Sequence, residues 1–99
     1  MEATNEIPEV YQLKLYITGA SPNSAKAVNN IKNICEKFLK DRYQLEIIDI
    51  YQQPLLAASQ QIIALPLLIK SSPLPAKRLI GNMSDVDKVL RGLDITEPF

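Results

Sequence analysis

Cys35 is the single cysteine of a 99-residue chain that contains no histidine. Without imidazole, Ser-His-Asp triads, Cys-His dyads and histidine metal sites are excluded. One thiol cannot form an intrachain disulfide, a C-x-x-C redox pair or a four-cysteine zinc site. A redox sensor would need exposure and a cationic neighbour to stabilise thiolate. Cys35 instead falls on an apolar stripe with Ile31 and Phe38, while Lys32 and Lys37 point elsewhere, so it reads as a small core residue. No catalytic, metal-ligating or cofactor-binding residue is expected.

The remaining polar chemistry is that of binding. Lys14, Asn23 and Lys26 gather near the end of a first strand and the start of a first helix. Lys77 and Arg78 form an adjacent basic pair behind a proline-rich turn. By themselves such charges are ordinary solvated surface. Lys plus Arg and Asp plus Glu each number 11, giving zero net charge. That balance argues against affinity built on neutralising nucleic-acid phosphates and favours self-association. No apolar run approaches the ~18 residues of a membrane-spanning helix. The start, Met1-Glu2-Ala3-Thr4, lacks the basic-then-apolar pattern of a signal peptide, so the expected compartment is the cytoplasm.

These residues need a scaffold, and the length allows one domain, with residues 1–9 as a polar lead-in, 10–95 as the domain and 96–99 as its end. Tyr11, Leu13, Leu15 and Ile17 alternate with polar residues, the period of a strand. Ser21 can cap a helix and Pro22 fits its first position. Ala27, Ile31, Ile34 and Phe38 then recur at helical spacing through about five turns. Residues 43–51 form a nearly continuous apolar run, which suits a strand covered on both faces. Together these make a βαβ unit.

The second half predicts a helix from Gln53-Pro54, with Leu55, Ala58 and Ile62 on one face, stopped at Leu65-Pro66. Leu67-Leu68-Ile69 is a short strand. Pro73 and Pro75 fence a turn, and 76–80 form another strand ending at Gly81-Asn82. Ser84 is the expected cap of a last helix, with Asp85 and Asp87 in its first turn. Val86, Val89, Leu90 and Leu93 form its apolar stripe. The order βαβ followed by αββα matches a thioredoxin-like fold. In that fold an apolar residue followed by proline, often cis, opens the third strand, as Leu65-Pro66 does here. Thioredoxins carry C-x-x-C where the first strand meets the first helix. This chain has Gly19-Ala20-Ser21-Pro22-Asn23-Ser24 there, so the fold signal persists without the redox chemistry.

Leu13-Lys14-Leu15-Tyr16-Ile17-Thr18-Gly19, followed by Ser21-Pro22-Asn23-Ser24, resembles the opening of the KaiB family. The resemblance continues through Ile48-Asp49-Ile50, Pro54, Ile63-Ala64-Leu65-Pro66, Lys77-Arg78-Leu79-Ile80-Gly81, Lys88-Val89-Leu90 and Gly92-Leu93-Asp94. It implies a non-enzymatic regulator that binds the N-terminal ring of a KaiC-like ATPase. It also implies KaiA-like or histidine-kinase output proteins as further partners. Lys14, Asn23, Lys26, Lys77 and Arg78 then become candidate contacts. The family further implies two folds for one sequence. One is a homo-oligomeric resting form, dimer or tetramer, with its C-terminal half rearranged to give βαββααβ order. The other is the thioredoxin-like form that binds KaiC.

Pro66, Pro73, Pro75, Gly92 and Asp94 are the residues that such a switch would use. X-Pro isomerisation is slow enough to gate refolding, and a late-helix glycine weakens the last helix by up to about 1 kcal/mol relative to alanine. Family habit favours the oligomeric form for the isolated chain; local propensity favours the thioredoxin-like one. The sequence departs from cyanobacterial members at Ser72-Pro73-Leu74-Pro75, Ala64-Leu65-Pro66-Leu67, Lys26 and Asn82, and it ends at Phe99 without their acidic tail. A clock-derived stress-adaptation role is therefore an expectation beside a circadian one. The alternatives are a thioredoxin-like sensor or binding module for another ATPase or histidine kinase, and a thioredoxin-like oxidoreductase, against which the lone cysteine speaks.

Overall fold

The computed structural model describes residues 10–19, 21–59 and 65–95. The element order is β1 (Tyr11–Ile17), α1 (Pro22–Phe38), β2 (Tyr43–Asp49), α2 (Pro54–Ser59), β3 (Leu67–Ser72), β4 (Lys77–Ile80) and α3 (Val86–Gly92). This is the thioredoxin-like arrangement, αββα after βαβ. The strands form one sheet in the order β2-β1-β3-β4. β1 and β2 are parallel, and the other two pairings are antiparallel.

Local chemistry sets the α1 boundaries. The Ser21 side chain accepts from the Ser24 amide at 3.2 Å, satisfying one of the donors a helix start leaves over, and Pro22 follows at the first position. At the far end the Arg42 guanidinium donates to the Phe38 carbonyl at 3.2 Å, a cation placed at the negative helix terminus. Asp41 makes the exit with a left-handed φ of 64°. α3 starts one residue later than its sequence suggests. Asp85, not Ser84, is the cap, its carboxylate accepting from the Lys88 amide at 3.1 Å. The Ser84 amide is instead engaged by the Asn82 side chain at 3.1 Å, which holds Ser84 in the preceding turn.

The pleat gives the sheet two unlike faces. Tyr11, Leu13 and Leu15 point toward α1 and α3, where they pack with Ala27, Ile31, Ile34, Cys35, Leu68, Val89 and Leu93. Tyr16, Ile48 and Leu67 form a smaller cluster on the opposite face, with Ile50, Leu65 and Ile69 against it. Two expectations change here. β2 is an edge strand whose cover is uneven: Leu45 and Ile47 pack against the main core and Ile48 and Ile50 pack on the other face, but Gln44 and Glu46 leave the start of that second face exposed. Leu55 is 85% exposed rather than packed. α2 spans less than two turns, too little for spacing alone to fix a buried face. Ile62 lies outside the described residues.

The bonds Leu65–Pro66, Ser72–Pro73 and Leu74–Pro75 are cis. Among the described residues no helix is long and apolar enough to cross a membrane.

Candidate partner-docking face

Where thioredoxins carry their dithiol, this chain has a closed hydroxyl network. The Ser21 hydroxyl donates to the Ser24 hydroxyl at 2.8 Å, and the Ser24 oxygen accepts from the Thr18 amide at 3.1 Å. The Asp49 carboxylate accepts from the Gly19 and Tyr51 amides at 3.1 and 2.9 Å, tying this turn to the end of β2. These groups are occupied in holding the turn. Cys35, the only thiol, is fully buried on α1. Burial, with help from the Glu36 carboxylate, pushes its pKa up to about 12. It is a core residue, and a thiol held in that state is not a nucleophile.

The opposite sheet face offers more. Register aligns its side chains into three rows, two of which run from edge to edge. Gln44 and Gln12 stand side by side in the first. The second runs Glu46, Lys14, Ile69, Arg78 across all four strands. The third runs Ile48, Tyr16, Leu67, Ile80. The rows thus pass from amide to mainly charged to apolar along the strand direction. A shallow groove of about 320 Å³ crosses the polar end, over Gln12, Lys14, Gln44, Glu46 and Ser71. At the apolar end Ile80 is 60% exposed. The Tyr16 hydroxyl senses the same neighbours: its pKa is raised by burial and then by the Glu46 carboxylate, while Arg78 opposes them.

The basic candidates are therefore regrouped. Lys14 and Arg78 share one row, each flanking Ile69. Lys77, next to Arg78 in sequence, stands on the other face, its ammonium 3.9 Å from the Asp94 carboxylate. Asn23 and Lys26 are exposed on the first turns of α1, which packs on the face that Lys14 does not share. Pro66 is buried just before β3, and its carbonyl accepts from the Gly81 amide at 3.0 Å. Pro73 and Pro75 lie in the β3–β4 turn, and Gly92 ends α3 beneath Leu79. Asp94 follows with φ 58°. Glu46 and Ile80 had no individual signal in the sequence; pairing register reveals them. Lys70 did carry one, a lysine ending the apolar run Leu67-Leu68-Ile69.

A family model described as the KaiB domain matches residues 14–95. The chain belongs to the KaiB family. It is 51% identical over 83 residues to the circadian clock protein KaiB3 of Synechocystis sp., covering 84% of this chain and 81% of that protein. It is 45% identical over 91 residues to the circadian clock oscillator protein KaiB of Picosynechococcus sp., covering 92% and 88%. Among solved structures, the N-terminal domain of Synechococcus elongatus SasA superposes with a TM-score of 0.71 at 20% identity, covering 100% of this chain and 97% of that one. Chloroplastic thioredoxin z gives 0.69 at 14% identity, covering 89% and 81%. At those identities the structural likeness establishes the thioredoxin-like fold. KaiB proteins are non-enzymatic, which agrees with a β1–α1 turn built of hydroxyls and a buried thiol.

Proposed function

We propose that this KaiB-family chain is a cytoplasmic regulator of a KaiC-type ring ATPase, within a circadian clock or a stress-adaptation system derived from one. Its thioredoxin-like form docks through the sheet face that carries Lys14, Ile69, Arg78 and Ile80. The observation that carries this reading is the alignment of two cations on either side of an isoleucine, beside the exposed Ile80. Such a face combines a core for burial with charges that steer encounter and select a partner. Asn23 and Lys26 extend the contact from α1. Lys77, on the other face beside Asp94, lies outside this contact. KaiA-like or histidine-kinase output proteins act on the assembled complex.

The resting chain is a homo-oligomer, dimer or tetramer, whose C-terminal half is rearranged. Pro66, Pro73, Pro75, Gly92 and Asp94 are where that rearrangement turns. Two packings of one sequence then lie within a few kcal/mol. If the competent form is a minor fraction, the apparent affinity is reduced by that fraction. Gel filtration with light scattering on the chain alone, and after incubation with a KaiC-type ring and ATP, tests the proposal. The expected result is an oligomer that yields a ring-bound species. Failure to join the ring, with or without ATP, would overturn it and favour a module for another ATPase or kinase.

A further inference from the structure

Pairing register sets Lys70 of β3 directly across from Lys77 of β4. Like charges at that separation repel. Lys70 is also only 1% exposed, and an ammonium withdrawn from water is costly unless it is paired and hydrogen-bonded. Its hydrogen bonds go to the end of α3. Nζ donates to the Leu93 carbonyl at 3.1 Å and to Asp94 Oδ2 at 3.5 Å. The same Asp94 oxygen lies 3.9 Å from Lys77 Nζ, so one carboxylate serves both cations. The Tyr11 ring stands 5.8 Å from Lys70 Nζ, and its hydroxyl donates to the Asp94 carbonyl at 3.5 Å.

We propose that Lys70 and Asp94 form an electrostatic strap that fastens residues 86–95 to the sheet, so that docking of α3 answers to the charge at position 94. Seven residues are too few for a helix to persist without packing. Its apolar anchors are Val89, Leu93 and Ile95, and the strap closes over the last two. Lifting this segment removes both hydrogen bonds of Lys70 in one step. Neutralising Asp94 leaves two ammonium groups facing each other beneath the segment. The βαβ unit meets the strap at Tyr11 but makes neither hydrogen bond of Lys70, so the response is local. The strap stands independently of any partner.

Amide hydrogen exchange on the full chain tests this with Asp94→Asn, Lys70→Met and the double variant. Asparagine tolerates the left-handed backbone at position 94, so only the charge changes. The reporters are the Leu93 and Ile95 amides, bonded to the Val89 and Leu90 carbonyls; the reference is the Leu39 amide, bonded to Cys35. With Lys70 present, Asp94→Asn should speed exchange at the reporters by about tenfold relative to Leu39. In the Lys70→Met background the same change should have little effect. Lys70→Gln provides a second uncharged background should Lys70→Met not fold. An equal response to Asp94→Asn with and without Lys70, or a uniform rise at reporters and reference alike, would overturn the strap.

Discussion

Lys77 and Arg78 are consecutive in sequence and stand on opposite faces of the sheet. Lys77 reaches the Asp94 carboxylate at 3.9 Å on the α1–α3 side, while Arg78 pairs in register with Ile69 on the other. If the open face docks a partner, the two residues differ in function. Replacing Arg78 or Lys14 by Gln should slow association with a KaiC-type ring by about threefold to tenfold and flatten its salt dependence. Lys77→Gln should leave the association rate nearly unchanged. Stopped-flow or surface-based kinetics at two ionic strengths measure this, and the reverse ranking would contradict the assignment of the face.

The α3 cap gives a sharper test of local structure. Asp85→Ala removes the acceptor for the Lys88 amide and should cost about 1 kcal/mol, or roughly 4–8 °C in Tm for a domain of this size. Ser84→Ala should shift Tm far less, since the Ser84 side chain is not the cap. Thermal melts of the two variants side by side decide between the two residues, and equal losses would contradict the cap.

Gly92 balances helix propensity against space. A Cβ built there would run into Leu79 Cδ2 and lie 3.0 Å from Cδ1 and 3.2 Å from Cγ. Alanine gains about 1 kcal/mol in helix propensity but must push Leu79 aside. The two substitutions are therefore coupled. Gly92→Ala should stabilise the fold by about 1 kcal/mol in a Leu79→Ala background and do little or harm with Leu79 present. Urea unfolding of the four proteins measures the difference; the same change in both backgrounds would show that Leu79 does not matter.

Much of the fold is legible in the sequence because its signals are local. Alternation marks β1, Ser21-Pro22 marks the start of α1, and the α1 stripe places Cys35 in the core. The weaker parts depend on tertiary context. Nothing near β2 announces that it is an edge strand, since an apolar run looks alike at an edge and at a centre. The α3 cap is ambiguous by one residue because Ser84 and Asp85 are both good caps, and only the competing turn at Asn82 separates them. The docking face is legible residue by residue but not as a group. Adjacent residues in a strand point oppositely, so grouping Lys77 with Arg78 by sequence proximity fails without the register. Lys70 stands out as a charge in an apolar strand, yet its partners lie more than twenty residues away.

Alkaline pH supplies a further check. Burial raises the Cys35 pKa from 9.0 to about 12, and the hydrogen bond to Glu36, donated by the Tyr43 hydroxyl at 2.6 Å, raises the Tyr43 pKa from 10.0 to about 12. Between the unfolded and folded values the native state holds protons that the unfolded chain has lost. Stability should therefore be undiminished by these groups below pH 9 and fall as pH rises from 9 toward 12. Cys35→Ala should make the decline between about pH 9 and about pH 10.5 less steep, whatever its effect on absolute stability. Urea midpoints across that range measure the slope; an unchanged slope would show that the thiol is not shielded.

The most direct test of the docking face is methyl cross-saturation NMR on the complex with a KaiC-type ring in ATP. The Ile69 and Ile80 methyls should lose intensity strongly, while those of Val86 and Leu90, in the groove between α1 and α3, should be spared. Saturation confined to Val86 and Leu90, with Ile69 and Ile80 untouched, would contradict docking through the sheet.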